Sequence, residues 1–311
     1  MSEGERAARA PLSVPFERNF DAPYEELIEV APNIRRLLAK NPSPFTFKGT
    51  GVTVIGRGSV TVIDPGPDDE THLAALKRAF AHETVTHILV THTHRDHSPA
   101  AKFLKQRTGA KTYGFGPHGR GKSDEGAMVE EGGDREFVPD VVVRDGDVIE
   151  GEGFAFHCVH TPGHTSNHIC YALLSESALF TGDHVMGWST SVVAPPDGDM
   201  GDYRASLRKL LVREDRIYWP THGGPIRDPK PYVAALIAHR DEREAQILAA
   251  LRDEVNGIPA IVERVYAGLE PRLKMAAAHS VLAHLLELIK NGRVVAESEP
   301  NLSGKFHLIA R

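Results

Sequence analysis

The chain has 311 residues, 41% of them hydrophobic and 25% charged, with a formal net charge of −6 and two cysteines. That length allows one large domain and one small one, and the composition is that of an ordinary globular protein. It excludes a disulfide-stapled scaffold and a chain that draws nucleic acid by overall charge. No apolar run reaches transmembrane length, so no membrane contact is expected.

The opening stretch, Met1 to Val14, has no apolar core of signal-peptide length. Cys158 and Cys170 form no close-pair motif and read as small buried hydrophobes. Together these features predict a cytoplasmic protein in a reducing compartment. The first informative strand is Val60 to Ile63, followed at once by Asp64 and Gly66. A second, apolar and partly β-branched, runs from Thr86 to Val90.

Directly after that strand come His92, His94, Asp96 and His97, within six residues. Imidazole and carboxylate are the ligands of first-row metals, and four of them this close rarely have another use. Ser98 as N-cap and Pro99 at the first helical position predict a helix from Ala100. A strand-to-helix loop can aim several side chains at one point, which no single helix face or strand can do.

Gly116 to Ser123 fits the P-loop expression G-x-x-x-x-G-K-S. The residues that follow, Asp124 to Asp134, are acidic, broken by glycine and without an apolar stripe, so no phosphate-binding helix opens there. The segment reads instead as a loop overhanging the site, with Arg120 and Lys122 facing an anionic group.

Three more strand-like runs each end in a metal-type donor. Phe154 to Val159 leads to His164, Ser177 to Phe180 leads to Asp183, and Arg216 to Trp219 leads to His222. Gly163, Gly182 and Gly223 accompany these three as Gly66 accompanies Asp64, permitting tight turns and close backbone approach. One such residue is an ordinary turn polar group. Four, all at strand ends, imply strands converging on a shared site. His168 is spaced to hold a ligand by hydrogen bond, and His184, beside Asp183, should face away. The other ten histidines, His87 and His118 among them, read as surface or satisfied core residues.

Beyond Asp228 the pattern turns helical. Tyr232 to Leu251, Ala260 to Leu269 and Pro271 to Gly292 predict three helices, and a strand, a turn and a strand follow. Three helices and a hairpin are the outline of a winged helix, which divides the chain into residues 1–230 and 231–311. In the second part basic and acidic residues balance, ten against ten, a poor nucleic-acid footprint. Nucleic-acid binding by this part therefore competes with a packing or dimerisation role.

Ligand arithmetic gives two metals. His92, His94 and His164 supply a three-nitrogen site, Asp96, His97 and His222 a second, and Asp183 a bridge between cations roughly 3.5–4 Å apart. Three protein ligands and a bridge leave room for water, which marks a catalytic site, and two dications lower the pKa of that water enough to supply metal-bound hydroxide near neutral pH. Zinc is the first expectation, with manganese or iron as alternatives.

The chain resembles the metallo-β-lactamase-fold hydrolase superfamily. The family pattern HxHxDH, then H, D and H on later loops, is met at His92, His94, Asp96, His97, His164, Asp183 and His222, and Asp64 matches the family's non-ligand aspartate. The resemblance implies a mixed α/β fold of the α+β kind, an αββα sandwich, with Asp96 and Asp64 as the carboxylates of the catalytic machinery. Residues 181 to 300 are similar to the β-lactamase-like protein 2 type of hydrolase, which carries a small C-terminal winged-helix domain; some relatives cleave single-stranded RNA.

The expectation is thus a binuclear metallohydrolase whose substrate is a phosphodiester such as RNA, or a small-molecule thioester. Lactonase or β-lactamase-like activity is an alternative within that class. The alternative outside it is a non-enzymatic, metal-stabilised protein that binds nucleic acid or a partner. Arg95, Arg120, Lys122 and Arg204 are candidate anion contacts, and Trp188, Tyr113 and Phe115 are candidate stacking surfaces.

Overall fold

A computed structural model describes residues 13–119 and 132–309. The first sheet has seven strands in sequential order: β1 (Leu27–Ala31), β2 (Ile34–Leu38), β3 (Gly51–Arg57), β4 (Ser59–Ile63), β5 (Thr84–Leu89), β6 (Lys111–Gly114) and β7 (Val141–Val142). The second contains β8 (Val148–Gly151), β9 (Phe154–His160), β10 (Ile169–Leu173), β11 (Ala178–Gly182) and β12 (Ile217–Pro220), in the order β12-β11-β10-β9-β8. Most neighbours are antiparallel. The pairs β4–β5, β5–β6, β6–β7 and β11–β12 are parallel, and β4–β5, β5–β6 and β11–β12 are crossed by helices α1 (Glu70–Ala79), α2 (Ala100–Thr108) and α3 (Met200–Leu211).

Strand periodicity builds three apolar layers. On β10, Ile169, Tyr171 and Leu173 point between the sheets, while Cys170 and Ala172 point out toward the helices. On β11, Ala178 and Phe180 join the inter-sheet core and Leu179 the outer one. Val60 and Val62 of β4 pack outward with Leu76 of α1 and Leu104 of α2. Two sheets face to face with helices outside are the αββα sandwich.

The C-terminal part adds α4 (Pro229–Arg252), α5 (Ile258–Val265), α6 (Lys274–Lys290) and the antiparallel hairpin β13 (Val294–Ala296) and β14 (Phe306–Leu308), completing a winged helix. Its core joins Ile247, Leu251, Ile261, Val281, Leu285 and Phe306. Helix α4 belongs to two cores: Tyr232, Val233 and Leu236 in its first half pack with Tyr203 and Leu207 of α3. No helix among the described residues is long and apolar enough to cross a membrane.

One local expectation is corrected. Helix α2 is capped at Pro99, without a side-chain cap, because the Ser98 hydroxyl donates to Asp134 Oδ2 (2.6 Å).

Candidate metal centre

Five strand ends deliver the donors to one edge of the sandwich. His92, His94, Asp96 and His97 follow β5, Asp64 follows β4, His164 lies between β9 and β10, Asp183 follows β11, and His222 follows β12. Parallel neighbours end on the same side, so β4 with β5, and β11 with β12, place their exit loops together. The turn at Gly182 has φ 51°, and a Cβ there would lie 2.5 Å from His168 Nε2 and 2.7 Å from Thr91 Oγ1. Only glycine fits this left-handed and crowded position.

The donor atoms are buried and crowded. His94 Nδ1 lies 3.0 Å from His92 Nε2 and 3.2 Å from His164 Nε2. Asp96 Oδ2 is 3.2 Å from His97 Nε2 and 3.1 Å from His222 Nε2, and Asp183 Oδ2 is 3.5 and 3.3 Å from the same two nitrogens. Three groups have all their donor atoms within 4.8 Å of one another: His92, His94 and His164; His92, His97 and Asp183; Asp96, His97 and His222.

Partners behind the rings fix the tautomers. His164 Nδ1 donates to the Val192 carbonyl (2.7 Å), His222 Nδ1 to the Gly49 carbonyl (3.1 Å), and His97 Nδ1 to Asp64 Oδ2 (3.0 Å). Thr91 Oγ1 donates to Asp64 Oδ2 (2.7 Å) and so accepts from His92 Nδ1 (3.1 Å). Each acceptor holds the proton at Nδ1 and turns the Nε2 lone pair inward. Lone pairs facing one another at about 3 Å repel unless positive charge lies between them. Among the described residues Asp183 Oδ1 and His97 Nε2 are buried without a hydrogen-bond partner, so the donor set fits divalent cations.

The titration behaviour has the same origin. Burial, then neighbouring imidazoles, hold His92 and His94 well below the ordinary histidine range, leaving them neutral. Burial works the same way on His222, but Asp183 and Asp96 outweigh it and push it up to about 10; His97 is raised by Asp96, Asp183 and Asp64. Burial disfavours the charged Asp183, yet His222 and His97 hold it well below the carboxylate range. A proton on each imidazole is one source of the positive charge these carboxylates demand; a metal ion is the other.

Asp64 stands behind the cluster. Its Oδ1 accepts from Thr91 N–H (2.8 Å), and Oδ2 from Thr91 Oγ1, Thr221 Oγ1 (2.8 Å) and His97. His168 accepts the Asp183 N–H at Nε2 (3.2 Å), and His184 turns away against Tyr203, ring centroids 4.8 Å apart. Trp188 stacks on Phe47 at 4.8 Å beside the His222 loop.

The other candidate contacts lie elsewhere. Phe115 stacks on His160 at 3.8 Å within the inter-sheet core, and Tyr113 packs against that core with its ring 5.2 Å from His87. Arg204 is held between α3 and α4 by Asp241 and Glu244 (2.7 Å). Arg95 is exposed, its Nε directed at the Gly133 carbonyl (3.4 Å). Arg120, Lys122 and the rest of the P-loop-like segment from residue 120 on lie outside the described residues.

Two residues near the site drew no attention in the sequence, and a third, His118, read there as a surface or satisfied core histidine. Thr50 Oγ1 donates to Asp96 Oδ2 (3.0 Å), and His118 Nδ1 meets Thr93 Oγ1 (3.0 Å) with its ring 6.3 Å from His94. Arg36, buried on β2, donates to the carbonyls of Pro220 (2.9 Å), Thr221 and Gly223 (2.7 Å), which flank His222. Its one sequence signal is a pair of arginines inside a short apolar strand.

Residues 46–222 match the family described as the metallo-β-lactamase superfamily. The chain belongs to that superfamily. Residues 258–304 of this metallo-β-lactamase-fold hydrolase match the β-lactamase-associated winged helix domain. A β-lactamase-like protein 2 homologue from Caenorhabditis elegans is 31% identical over 277 residues, 87% of this chain and 88% of the relative. An atrochrysone carboxyl ACP thioesterase from Cryptosporiopsis sp. is 30% identical over 232 residues, 74% of this chain and 66% of that relative's own length. The fold is shared with a metallo-β-lactamase family protein from Thermus thermophilus, with a TM-score of 0.73, 22% identity, and coverage of 90% of this chain and 100% of that one.

Proposed function

We propose that this hydrolase is a binuclear metallohydrolase of the cytoplasm that cleaves a thioester. His92, His94 and His164 would hold one divalent cation, Asp96, His97 and His222 a second, and Asp183 both, with zinc the favoured metal and manganese or iron the alternatives. The observation that carries this reading is the inward set of imidazole nitrogens and carboxylate oxygens, crowded to 3.0–3.5 Å. Bound cations would supply Lewis acidity and a water of lowered pKa. The chain's own residues do the rest. Asp64 holds the proton at His97 Nδ1, and Asp96, hydrogen-bonded by Thr50, would serve as ligand and catalytic carboxylate. The stacked Phe47 and Trp188 form an apolar wall beside His222 for the acyl group.

Two observations favour thioester over RNA. Arg204 is committed to carboxylates on α4. Part of the C-terminal module is turned inward: Ala283 of α6 packs in the catalytic core, and a Cβ on Gly201 of α3 would lie 2.4 Å from the Glu287 carboxylate. The name of the thioesterase relative points the same way. We assign residues 1–230 to the catalytic domain and 231–311 to the winged-helix-like domain, with α4 bracing both.

The test is metal analysis with a substrate panel of an acyl-carrier-protein thioester, an acyl-coenzyme A, a single-stranded RNA, a lactone and a penicillin. Thioester turnover lost to chelator and restored by zinc is expected. RNA cleavage or penicillin turnover without thioester hydrolysis would overturn the substrate class. Two metals per chain retained in Asp183→Asn would overturn the bridge, with His87→Ala as the control that keeps both.

A further inference from the structure

Arg240, in the middle of α4, is 2% exposed and lies where the catalytic sandwich meets the C-terminal helices. Its Nη2 donates to the Ser191 carbonyl, its guanidinium sits 5.0 Å over the Tyr203 ring of α3, and its Nε has no hydrogen-bond partner among the described residues. The nearby carboxylates Asp241 and Glu244 are engaged by Arg204 instead. His284 of α6, fully buried, feels the Arg240 charge and offers two unpartnered ring nitrogens. A buried guanidinium with no carboxylate opposite it is costly. The Ser191 carbonyl and the Tyr203 ring offset part of that cost.

What Arg240 fixes leads to the metal centre in two steps. The Ser191 hydroxyl donates to the Asp183 carbonyl (2.5 Å) and also approaches that of His184 (3.0 Å). The next carbonyl, of Val192, accepts from His164 Nδ1 (2.7 Å). The peptide that Arg240 holds therefore touches the backbone of the bridging carboxylate and the ring of a terminal donor. Asp183 is pinned at its N–H by His168 and at its C=O by Ser191, and only the second pin is tied to α4.

We propose that Arg240 is a positioning residue: through Ser191 it lets α4, and the winged helix packed on it, set the place of Asp183 and His164. The inference rests on reading the His/Asp cluster as a metal centre. It gives the winged helix a task in the hydrolase that needs no nucleic acid.

The experiment is cobalt(II) titration of the full chain, followed by d–d absorption and affinity. The wild type should bind two ions. Arg240→Met should lose tenfold or more in affinity at one site and change the visible spectrum, as changes behind a metal ligand do; Arg240→Lys should recover part of both. Ser191→Ala removes the hydroxyl on the Asp183 carbonyl but keeps the backbone carbonyl that Arg240 holds, so it should reproduce part of the loss, and adding it to Arg240→Met should change little more, since both act on one path. Leu76→Ala, which opens the outer core of the first sheet away from this path, should lower stability and leave the spectrum unchanged. A wild type that binds no cobalt refutes the metal reading and this inference with it. Unchanged affinity and spectrum in Arg240→Met refute the inference alone. If Arg240→Met does not fold, Ser191→Ala decides, and native cobalt binding in it overturns the proposal.

Discussion

Replacing Asp64 with asparagine tests the support behind the donors. Asp64 sits at φ 48°, a left-handed conformation that asparagine also tolerates, so the substitution changes charge and hydrogen bonding and little else. The carboxylate accepts four hydrogen bonds of 2.7–3.0 Å. An amide cannot replace it in either orientation. With its NH2 at the Oδ1 position it faces the Thr91 N–H, and at the Oδ2 position it faces His97 Nδ1–H; neither donor can rotate away. One charge-assisted bond is lost, about 1.5–3 kcal/mol, and one buried donor faces another, about 1–3 kcal/mol. The expected destabilisation is about 3–5 kcal/mol, read as a shift in urea midpoint at constant slope in chelator-treated protein. Cobalt affinity should fall about 10- to 100-fold, because His97 loses the acceptor that orients it. A loss under about 1 kcal/mol with native cobalt affinity would refute the account of Asp64 as the hub of the support.

Three more outcomes follow from the same geometry. Arg36→Met takes the guanidinium from the carbonyls of Pro220, Thr221 and Gly223 and leaves that of Thr221 with the Gly51 N–H, so it should cost about 2–4 kcal/mol and remove one bound metal per chain by elemental analysis; two metals retained would show that the His222 loop holds itself. Gly182→Ala places a methyl group 2.5 Å from His168 Nε2 at φ 51° and should destabilise by about 2–4 kcal/mol in denaturant; a near-neutral result would contradict the crowding described. Burial pushes the Cys158 and Cys170 thiols up to about 12, and a raised thiol pKa keeps the neutral form, so at pH 8 the thiolate fraction is about 10⁻⁴. A thiol-specific reagent should label neither cysteine in native protein and both in denaturant; prompt labelling of one would show that it is not buried.

The metal-type donors were legible because their chemistry restricts residue type and their geometry restricts position. His92 to His97 had to crowd one loop, and His164, Asp183 and His222 had to follow strands. The support behind them was not. Gly49 and Val192 contribute backbone carbonyls, which every residue carries. Thr50 is an ordinary residue before a strand until the fold brings it to Asp96. Phe115 and Arg204 carry the right chemistry for a substrate contact, but an aromatic at the end of β6 and an arginine on α3 have nearer partners in His160, Asp241 and Glu244. The winged-helix outline was readable from periodicity. The sharing of α4 between two cores was not, since both halves of that helix show the same apolar spacing.

The two sheets are sutured at one end. Ile169 of β10 donates its N–H to the Thr91 carbonyl (2.8 Å), and Gly51 of β3 donates to that of Thr221 (2.9 Å). Each stitch lies one residue from a histidine donor, and Asp64 ties the two threonine side chains together. Side-chain contacts between sheets yield gradually under thermal motion, whereas a backbone stitch holds or breaks. The spine of the sandwich thus lies at the donors: the same backbone stitches that join the two sheets also fix how far apart the histidine loops stand.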